Sequence, residues 1–223
     1  MEKLILLMVI FGTCCAAPQD LSGKVFVFPK ETNTDRVVLI TPKTRFNSVT
    51  TCLRYQSDLS RTYGIFSLAT PTFNNDFLIF KGNAESDISM RARDMLAVFT
   101  SLKLDANTWH SMCATWDSST GLAQLWVDGK ATTKKFVQTG AITGAPIAIL
   151  GQEQDTYGGG FDAKQSFIGM ITDFHMWDTV IPTCEIRRYM EDKHFSPGNV
   201  FSWKALDFQV KGKVLMELAS EVM

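Results

Sequence analysis

The sequence predicts an all-β fold: a two-sheet jelly-roll sandwich of the lectin-like kind, with one helix on one face. Short segments rich in β-branched and aromatic residues recur at close, regular spacing along most of the chain. Turn-forming residues separate these segments, and sixteen Phe and five Trp can fill a core between two sheets. A chain of 223 residues suffices for one such domain.

The predicted strands follow one another along the chain. They are, in order, KVFVFP, RVVLI, SVTTCLRYQ, YGIFSLA, DFLIFKG, HSMCATW, AQLWVDGK, IAILG and SFIGMITDFHMW. Two connections have the composition of hairpin turns. The five residues Asp117–Gly121 end in glycine and join HSMCATW to AQLWVDGK. Asp128-Gly129 favours a tight turn, because glycine adopts positive φ at little cost.

One segment near the C-terminus has helical periodicity instead. In PTCEIRRYMEDKH, Ile186, Tyr189 and Met190 fall at i, i+3 and i+4, which gives one apolar face. Thr183 is the candidate N-cap, and a glutamate in the first turn suits the helix dipole. We expect a helix from about Thr183 to Asp192, lying across one sheet. Four tryptophans are expected to pack in the core: Trp116, Trp126, Trp177 and Trp203.

Residues 1–16 are predicted to be a secretory signal peptide. The stretch MEKLILLMVIFGTCCAA has one Lys near its start, then an apolar run, then small residues. Ala16 or Ala17 is the expected last residue removed. A transmembrane helix needs about 20 apolar residues, far more than this run provides. We therefore expect a secreted, extracellular protein with no transmembrane segment, whose mature domain spans residues 17–223.

The charge balance argues against one class of function. Twenty-two basic and twenty-three acidic residues give a formal net charge of −1 at pH 7. Proteins that bind the phosphate backbone of nucleic acids need clustered Lys and Arg. The composition therefore argues against a protein that binds polyanions through an overall basic charge.

Secretion determines how the cysteines are interpreted. Cys14 and Cys15 would leave with the signal peptide, so an odd number of cysteines remains in an oxidising compartment. We expect a disulfide between Cys52 and Cys113, because both lie in apolar, strand-like segments that could face each other. Cys184 is left over at the predicted helix start, either as a reactive or chain-linking thiol or as an inert free thiol.

The segment LGQEQDTYGGGFDAKQ concentrates oxygen-bearing side chains around three consecutive glycines. In an extended segment, Glu153 and Asp155 project to the same side and Gln154 projects away. The glycines can fold the loop back, which would bring Asp162 and Gln165 to the same place. Calcium takes six to eight oxygen ligands, and the segment contains neither His nor Cys, so this pattern favours calcium over zinc.

Two other interpretations of this segment stay open. Acidic, glycine-rich segments are often solvated surface loops. Jelly-roll glycosidases carry two catalytic carboxylates on one strand, but here Thr156, Tyr157 and Gly158 stand where the second Glu is needed. No serine lies in a nucleophile elbow. We therefore expect a protein that is not an enzyme, and keep a secreted glycan hydrolase or a glycan-binding lectin-like module as the alternative.

The same segment, extended to LGQEQDTYGGGFDAKQSFIG, resembles the calcium loop of the pentraxins, the group of C-reactive protein and serum amyloid P component. The resemblance covers nearly the whole mature chain, since KVFVFPKET, CATWDSSTG, LWVDGK, MWD and FSPGNVFSWKAL match in the same order. One departure concerns the family signature His-x-Cys-x-Ser/Thr-Trp-x-Ser/Thr. Here Ser111 holds the place of the histidine, and His110 is displaced by one position.

The resemblance implies a site for two calcium ions per subunit. It assigns the metal ligands to Asn74, Asn75, Glu153, the carbonyl of Gln154, Asp155, Asp162 and Gln165. Asn74 stands where the family often has Asp, and Asp162 replaces a longer Glu. Both differences predict a calcium affinity equal to or weaker than is usual in the family.

The resemblance also implies ligands and an assembly. Phosphocholine, phosphoethanolamine or related anionic groups, including anionic polysaccharides, would complete the calcium coordination, as expected of an innate-immune, acute-phase protein. Phe80 aligns with the aromatic residue of the choline pocket, although a position in the core fits its sequence pattern equally well. The family forms cyclic homo-oligomers, usually pentamers, and its helix face meets complement components or cell receptors.

Overall fold

Two antiparallel β-sheets pack face to face in the computed structural model, which describes residues 17–82 and 86–222. The predicted signal peptide, residues 1–16, lies outside the described residues. Within the described ranges, no helix is long and apolar enough to cross a membrane. The two-sheet sandwich with one substantial helix confirms the predicted fold class.

The nine predicted strands are present in the expected order, but the structure has further strands that the sequence did not predict, among them the five-residue strands Ile88–Ala92 and Met95–Phe99. They are β1 (Lys24–Phe28), β2 (Arg36–Leu39), β3 (Arg45–Phe46), β4 (Ser48–Gln56), β5 (Tyr63–Ala69), β6 (Phe77–Lys81), β7 (Ile88–Ala92), β8 (Met95–Phe99), β9 (His110–Asp117), β10 (Leu122–Val127), β11 (Lys130–Ala131), β12 (Lys135–Phe136), β13 (Ile142–Thr143), β14 (Ile147–Leu150), β15 (Gly169–Trp177), β16 (Phe208–Lys211) and β17 (Leu215–Leu218). Two helices, α1 (Thr183–Met190) and α2 (Ala219–Val222), lie near the C-terminal end.

Two large sheets form the sandwich, and β3 pairs with β13 in a separate two-stranded sheet. The first has the order β11-β10-β9-β4-β15-β1-β17, with β12 also paired to β10. The second has the order β16-β2-β14-β5-β6-β7-β8. Trp116 and Trp203 lie in the core between the sheets. Trp126 and Trp177 pack on the outer face of the first sheet, in a cluster that includes Ile186 of α1.

Both predicted turns are hairpins, with one boundary moved. Asp117 is the last residue of β9, so the first loop has four residues, Ser118–Gly121, and Gly121 has a φ of +69°. Asp128 and Gly129 both have positive φ, and the flanking residues are paired, so a two-residue turn joins β10 to β11. Positive φ at both positions matches the right-handed twist of paired strands.

Helix α1 forms where the apolar periodicity predicts it, but its cap was predicted wrongly. Pro182, not Thr183, occupies the N-cap position, and no side chain caps the helix. The Pro182 carbonyl accepts hydrogen bonds from the first turn instead. Ile186 and Tyr189 are buried against the first sheet, and the Tyr189 hydroxyl donates to the Asp173 carbonyl at 2.8 Å. Packing of one apolar face therefore holds this short helix.

The two residues at the departure from the family signature tie neighbouring loops to the first sheet. His110 is buried, with Nδ1 at 2.7 Å from a carboxylate oxygen of Asp128 and Nε2 at 3.0 Å from the carbonyl of Asp105. Ser111 accepts a hydrogen bond from Arg54 at 2.7 Å. The displaced histidine thus joins the loop before β9 to the turn after β10.

The disulfide between Cys52 and Cys113 is confirmed. The two residues are direct partners in the β4–β9 ladder, and their Cα atoms are 4.1 Å apart. The bridge is fully buried in the cluster beneath α1. Cys184 is a free, exposed thiol at the start of that helix.

Removing the bridge with Cys52→Ala and Cys113→Ala together is expected to lower the free energy of unfolding by about 2–5 kcal/mol, because the unfolded chain gains conformational freedom. Urea denaturation followed by tryptophan fluorescence measures this change. Cys184→Ser replaces an exposed thiol that forms no disulfide, so it should leave the urea midpoint equal to that of wild type within experimental error. An unchanged midpoint in the double variant would contradict the prediction.

Candidate functional site

The candidate site is a groove on the outer face of the second sheet, beside the segment that follows β14. Its volume is about 860 Å³. Outward-facing side chains of β6, β7 and β8 form its floor, and the acidic segment forms one wall. The lining residues are Thr62, Asn74, Asn75, Leu78, Phe80, Gly82, Asp87, Ser89, Arg91, Asp94, Leu96, Val98, Glu153, Asp155 and Gln165.

A buried glutamine fixes the acidic segment to the sheet. Gln154 is fully buried, and its Nε2 donates to the Ser67 hydroxyl at 3.1 Å and the Ile147 carbonyl at 3.0 Å. Its Oε1 accepts from the Gly158 amide at 3.0 Å. Ser67 of β5 in turn donates to the Gln152 carbonyl at 2.9 Å. Glu153 and Asp155 line the groove while the buried Gln154 side chain faces inward, as the alternation predicts.

Glu153 lies in a corner where negative charge is costly. Its side chain is buried, and burial together with the neighbouring Asp155 charge raises the pKa of Glu153 to about 7. A hydrogen bond from Asn75 and the positive charge of Arg91 oppose this rise without cancelling it. A cation in this corner would remove the cost of ionising Glu153.

The two asparagines before β6 complete this wall. Asn74 donates to the Asp155 carbonyl at 2.7 Å, which joins the β5–β6 connection to the acidic segment. The Asn75 backbone amide donates to a carboxylate oxygen of Asp94 at 2.9 Å. The Asn75 Oδ1 atom is buried and has no hydrogen-bond partner within residues 17–82 and 86–222. An orphaned buried oxygen next to two carboxylates is what a hard cation would satisfy.

The remaining predicted ligands are placed differently from one another. Gln165 lines the groove. Asp162 does not, and its carboxylate instead accepts the Lys164 backbone amide at 2.9 Å, capping a short 3₁₀ turn at Ala163–Gln165. The structure therefore gathers Asn74, Asn75, Glu153, Asp155 and Gln165 at one groove, with the side chain of Gln154 behind them.

The donor set fits calcium rather than a softer metal. Carboxylate, amide and carbonyl oxygens are the ligands that calcium prefers. Among the described residues, no group of three or more His, Cys, Asp or Glu side chains is placed to hold a metal. A calcium site here would therefore combine the two carboxylates Glu153 and Asp155 with neutral amide and carbonyl oxygens.

Phe80 belongs to the groove rather than to the core. Its strand neighbours Phe77 and Ile79 are fully buried between the sheets, whereas Phe80 is half-buried and faces outward. The rest of the floor, notably Arg91 and Leu96, was not predicted from the sequence. The alternation of ISMRA places Arg91 outward, but only the strand pairing shows that it lies beside the acidic segment.

Comparison with known proteins identifies the family of this chain. A sequence profile of the Pentaxin family, the pentraxins, matches residues 24–217. The chain belongs to the pentraxin family. This pentraxin is 41% identical over 203 residues to the serum amyloid P-component of Bos taurus, with 90% of each chain covered. It is 39% identical over 222 residues to the C-reactive protein of Rattus norvegicus, covering 97% of this chain and 95% of the relative.

The fold of this pentraxin is shared with a solved structure. The heptameric SAP-like pentraxin from Limulus polyphemus superposes with a TM-score of 0.82 at 21% identity, covering 90% of this chain and 97% of that one. The resemblance that the sequence motifs indicate is therefore confirmed at the level of family and fold.

The raised pKa of Glu153 predicts how stability depends on pH in chelator-treated protein. Folded Glu153 keeps its proton up to about pH 7, whereas the unfolded carboxyl loses it near 4.5. Its contribution to the free energy of unfolding should therefore fall as the pH rises from 4.5 to 7. Urea denaturation of wild type and Glu153→Gln, both in EGTA, isolates the contribution of Glu153 to the free energy of unfolding. Parallel pH profiles for the two proteins would disprove it.

Strand β5 passes so close behind the acidic segment that only glycine fits at position 64. A Cβ on Gly64 would lie 2.7 Å from the Glu153 nitrogen and 2.8 Å from the Gln152 carbonyl carbon. Gly64→Ala is therefore expected to displace Glu153 and to weaken calcium binding by about tenfold or more. Calcium titration by calorimetry measures the effect.

Gly129→Ala is the control for this substitution. It strains a turn with a φ of +79°, but no atom lies within 4 Å of the added Cβ. It should cost about 1 kcal/mol of stability and leave calcium affinity unchanged. Equal calcium affinity in wild type and Gly64→Ala would contradict the close contact described above.

Proposed function

We propose that this pentraxin is a secreted recognition protein that binds anionic groups on surfaces through two calcium ions per subunit, in an innate-immune, acute-phase role. One observation carries the proposal: Glu153, Asp155 and the orphaned Asn75 oxygen converge in one groove corner. Burial and the neighbouring Asp155 charge raise the pKa of Glu153 in this corner, which opens on a groove large enough for a small ligand.

The ligands of the two calcium ions would come from the groove wall and the segment that follows it. Glu153 and Asp155 would be shared by both ions, since their carboxylates face the same corner. Asn74, Asn75 and the Gln154 carbonyl would complete the coordination of one ion. Gln165 would complete that of the other, together with Asp162 if its carboxylate, which caps the Ala163–Gln165 turn outside the groove, moves toward the ion. Bound calcium supplies positive charge and open coordination positions for an outside oxygen anion.

Phosphocholine and phosphoethanolamine are the first ligands to test, because the family resemblance implies them. A phosphate at the calcium corner would place the rest of such a ligand over the floor formed by β6 and β7. Phe80 and Leu78 supply apolar contact there. Anionic polysaccharides present the same chemistry through carboxylate or sulfate groups.

A cyclic homo-oligomer, expected to be a pentamer, would turn one weak site into strong surface binding. The Limulus pentraxin that shares this fold is a heptamer, which supports a homo-oligomer and differs from the expected number of five subunits. Linked sites on a repetitive surface can exceed one site in affinity by about 10²–10⁴. The face that carries α1 is the one on which we place complement components or cell receptors as partners.

The proposed role is not enzymatic. A jelly-roll glycosidase needs a second carboxylate on the same strand as the first, and Glu153-Gln154-Asp155 runs into Thr156, Tyr157 and Gly158. Turnover of a β-glucan that Glu153→Gln abolishes would instead establish the alternative of a secreted glycan hydrolase.

Calorimetry of the purified protein with phosphocholine and phosphoethanolamine, with and without calcium, tests the proposal. Binding should require calcium and disappear in EDTA.

Glu153→Gln should weaken calcium binding at least about tenfold, because a ligand shared by two ions loses its charge. Glu191→Gln, at an exposed glutamate on the helix side paired with Lys193, is the matched control and should bind as wild type. Ligand binding that persists in EDTA would overturn the proposed function.

A further inference from the structure

An arginine on the groove floor stands next to the calcium corner. Arg91 is on β7, directly opposite Leu78 of β6 and Leu96 of β8. The neighbours Met90 and Ala92 are buried in the core, so Arg91 faces outward into the groove. Arg91 is also close enough to Glu153 for its positive charge to influence that carboxyl.

The positive charge of Arg91 is not neutralised by a direct ion pair within the described residues. Its Nη1 donates to the backbone carbonyl of Asp94 at 2.9 Å, which holds the side chain without cancelling its charge. A guanidinium has five N–H donors, so several donors remain for an outside acceptor. Such a half-buried, oriented guanidinium favours carboxylate and phosphate oxygens.

The groove carboxylates are placed less well for a cationic ligand. Asp94 accepts the Asn75 amide at 2.9 Å, so one of its oxygens is already used. Asp87 precedes β7 at the other end of the groove, four residues from Arg91, which is about 13 Å along a strand. Around Arg91 the floor is apolar, since Leu78 flanks it on one side and the half-exposed Leu96 on the other.

We propose that Arg91 makes this groove selective for compact ligands with two anionic groups, one at the calcium corner and one on the Arg91 guanidinium. This inference rests on the proposed function, because the first group is bound through calcium. A ligand whose second group is a quaternary ammonium would bring like charges together at Arg91. Phosphate monoesters that carry a nearby carboxylate are the ligand class that fits this floor.

Three phosphate monoesters of graded charge test the inference by calorimetry in calcium. They are 2-phosphoglycolate, glycerol 3-phosphate and phosphocholine, whose second groups are anionic, neutral and cationic. Wild type should bind 2-phosphoglycolate at least about tenfold more tightly than phosphocholine, since hydrogen bonds to charged groups have that magnitude. Arg91→Gln should lose most of this preference, and Arg91→Lys, which keeps the charge without the planar fork, should fall between.

The control is Arg93→Gln, the same substitution two residues away. Arg93 lies over the Phe73 ring and donates to the Thr139 carbonyl at 2.7 Å, outside the groove. It should keep the wild-type preference. Calcium titration without ligand serves as the second readout, and Arg91→Gln should bind calcium as tightly as wild type or more tightly, because a nearby cation is removed.

The outcomes separate the two claims. Wild type that binds no calcium overturns the proposed function and this inference with it. If wild type binds calcium but prefers phosphocholine or shows no preference, the proposed role of Arg91 is overturned while the proposed function stands. That result does not depend on any variant. A preference for 2-phosphoglycolate that Arg91→Gln retains assigns the selectivity elsewhere and also overturns the inference.

Discussion

The site depends on one buried amide. Gln154 uses both ends of its side chain, bonding Ser67 of β5, the Ile147 carbonyl and the Gly158 amide. A buried amide left unpaired costs about 1–3 kcal/mol, so a shift of this segment by one residue would be penalised and would also turn Glu153 inward. The constraint that holds the segment in register therefore also decides which side chains face the groove.

Local charge, not net charge, gives this molecule its chemistry. A chain with almost balanced charge offers no long-range attraction for a polyanion. Yet two carboxylates, the buried Glu153 and the exposed Asp155, line one corner of the groove, and an arginine without a direct ion pair among the described residues stands beside them. Under the proposed function, this face of the second sheet would hold a divalent cation and an anion side by side.

The sequence predicted what short-range patterns determine. Alternation and turn residues predicted nine of the strands, the Asp128-Gly129 hairpin and the outward pair Glu153 and Asp155, but not β7 and β8. The cysteine count and the strand-like segments around Cys52 and Cys113 predicted the bridge. Features set by tertiary packing escaped prediction. Thr183 was predicted to cap α1, but Pro182 occupies the N-cap position. The helix is held by its buried residues and not by a capping side chain. The position of Arg91 beside the acidic wall depends on how three strands pair with one another, and periodicity within a single strand carries no such information.

The single bridge has a topological consequence. Cys52 and Cys113 are 61 positions apart, and the intervening segment contains β5 to β8, which include the whole floor of the groove. That floor therefore belongs to a covalently closed loop fastened on the opposite sheet. A protease that cuts once within this loop leaves one molecule, and the two fragments separate only after reduction. Gel mobility without reductant would thus conceal cleavage within the floor of the candidate site.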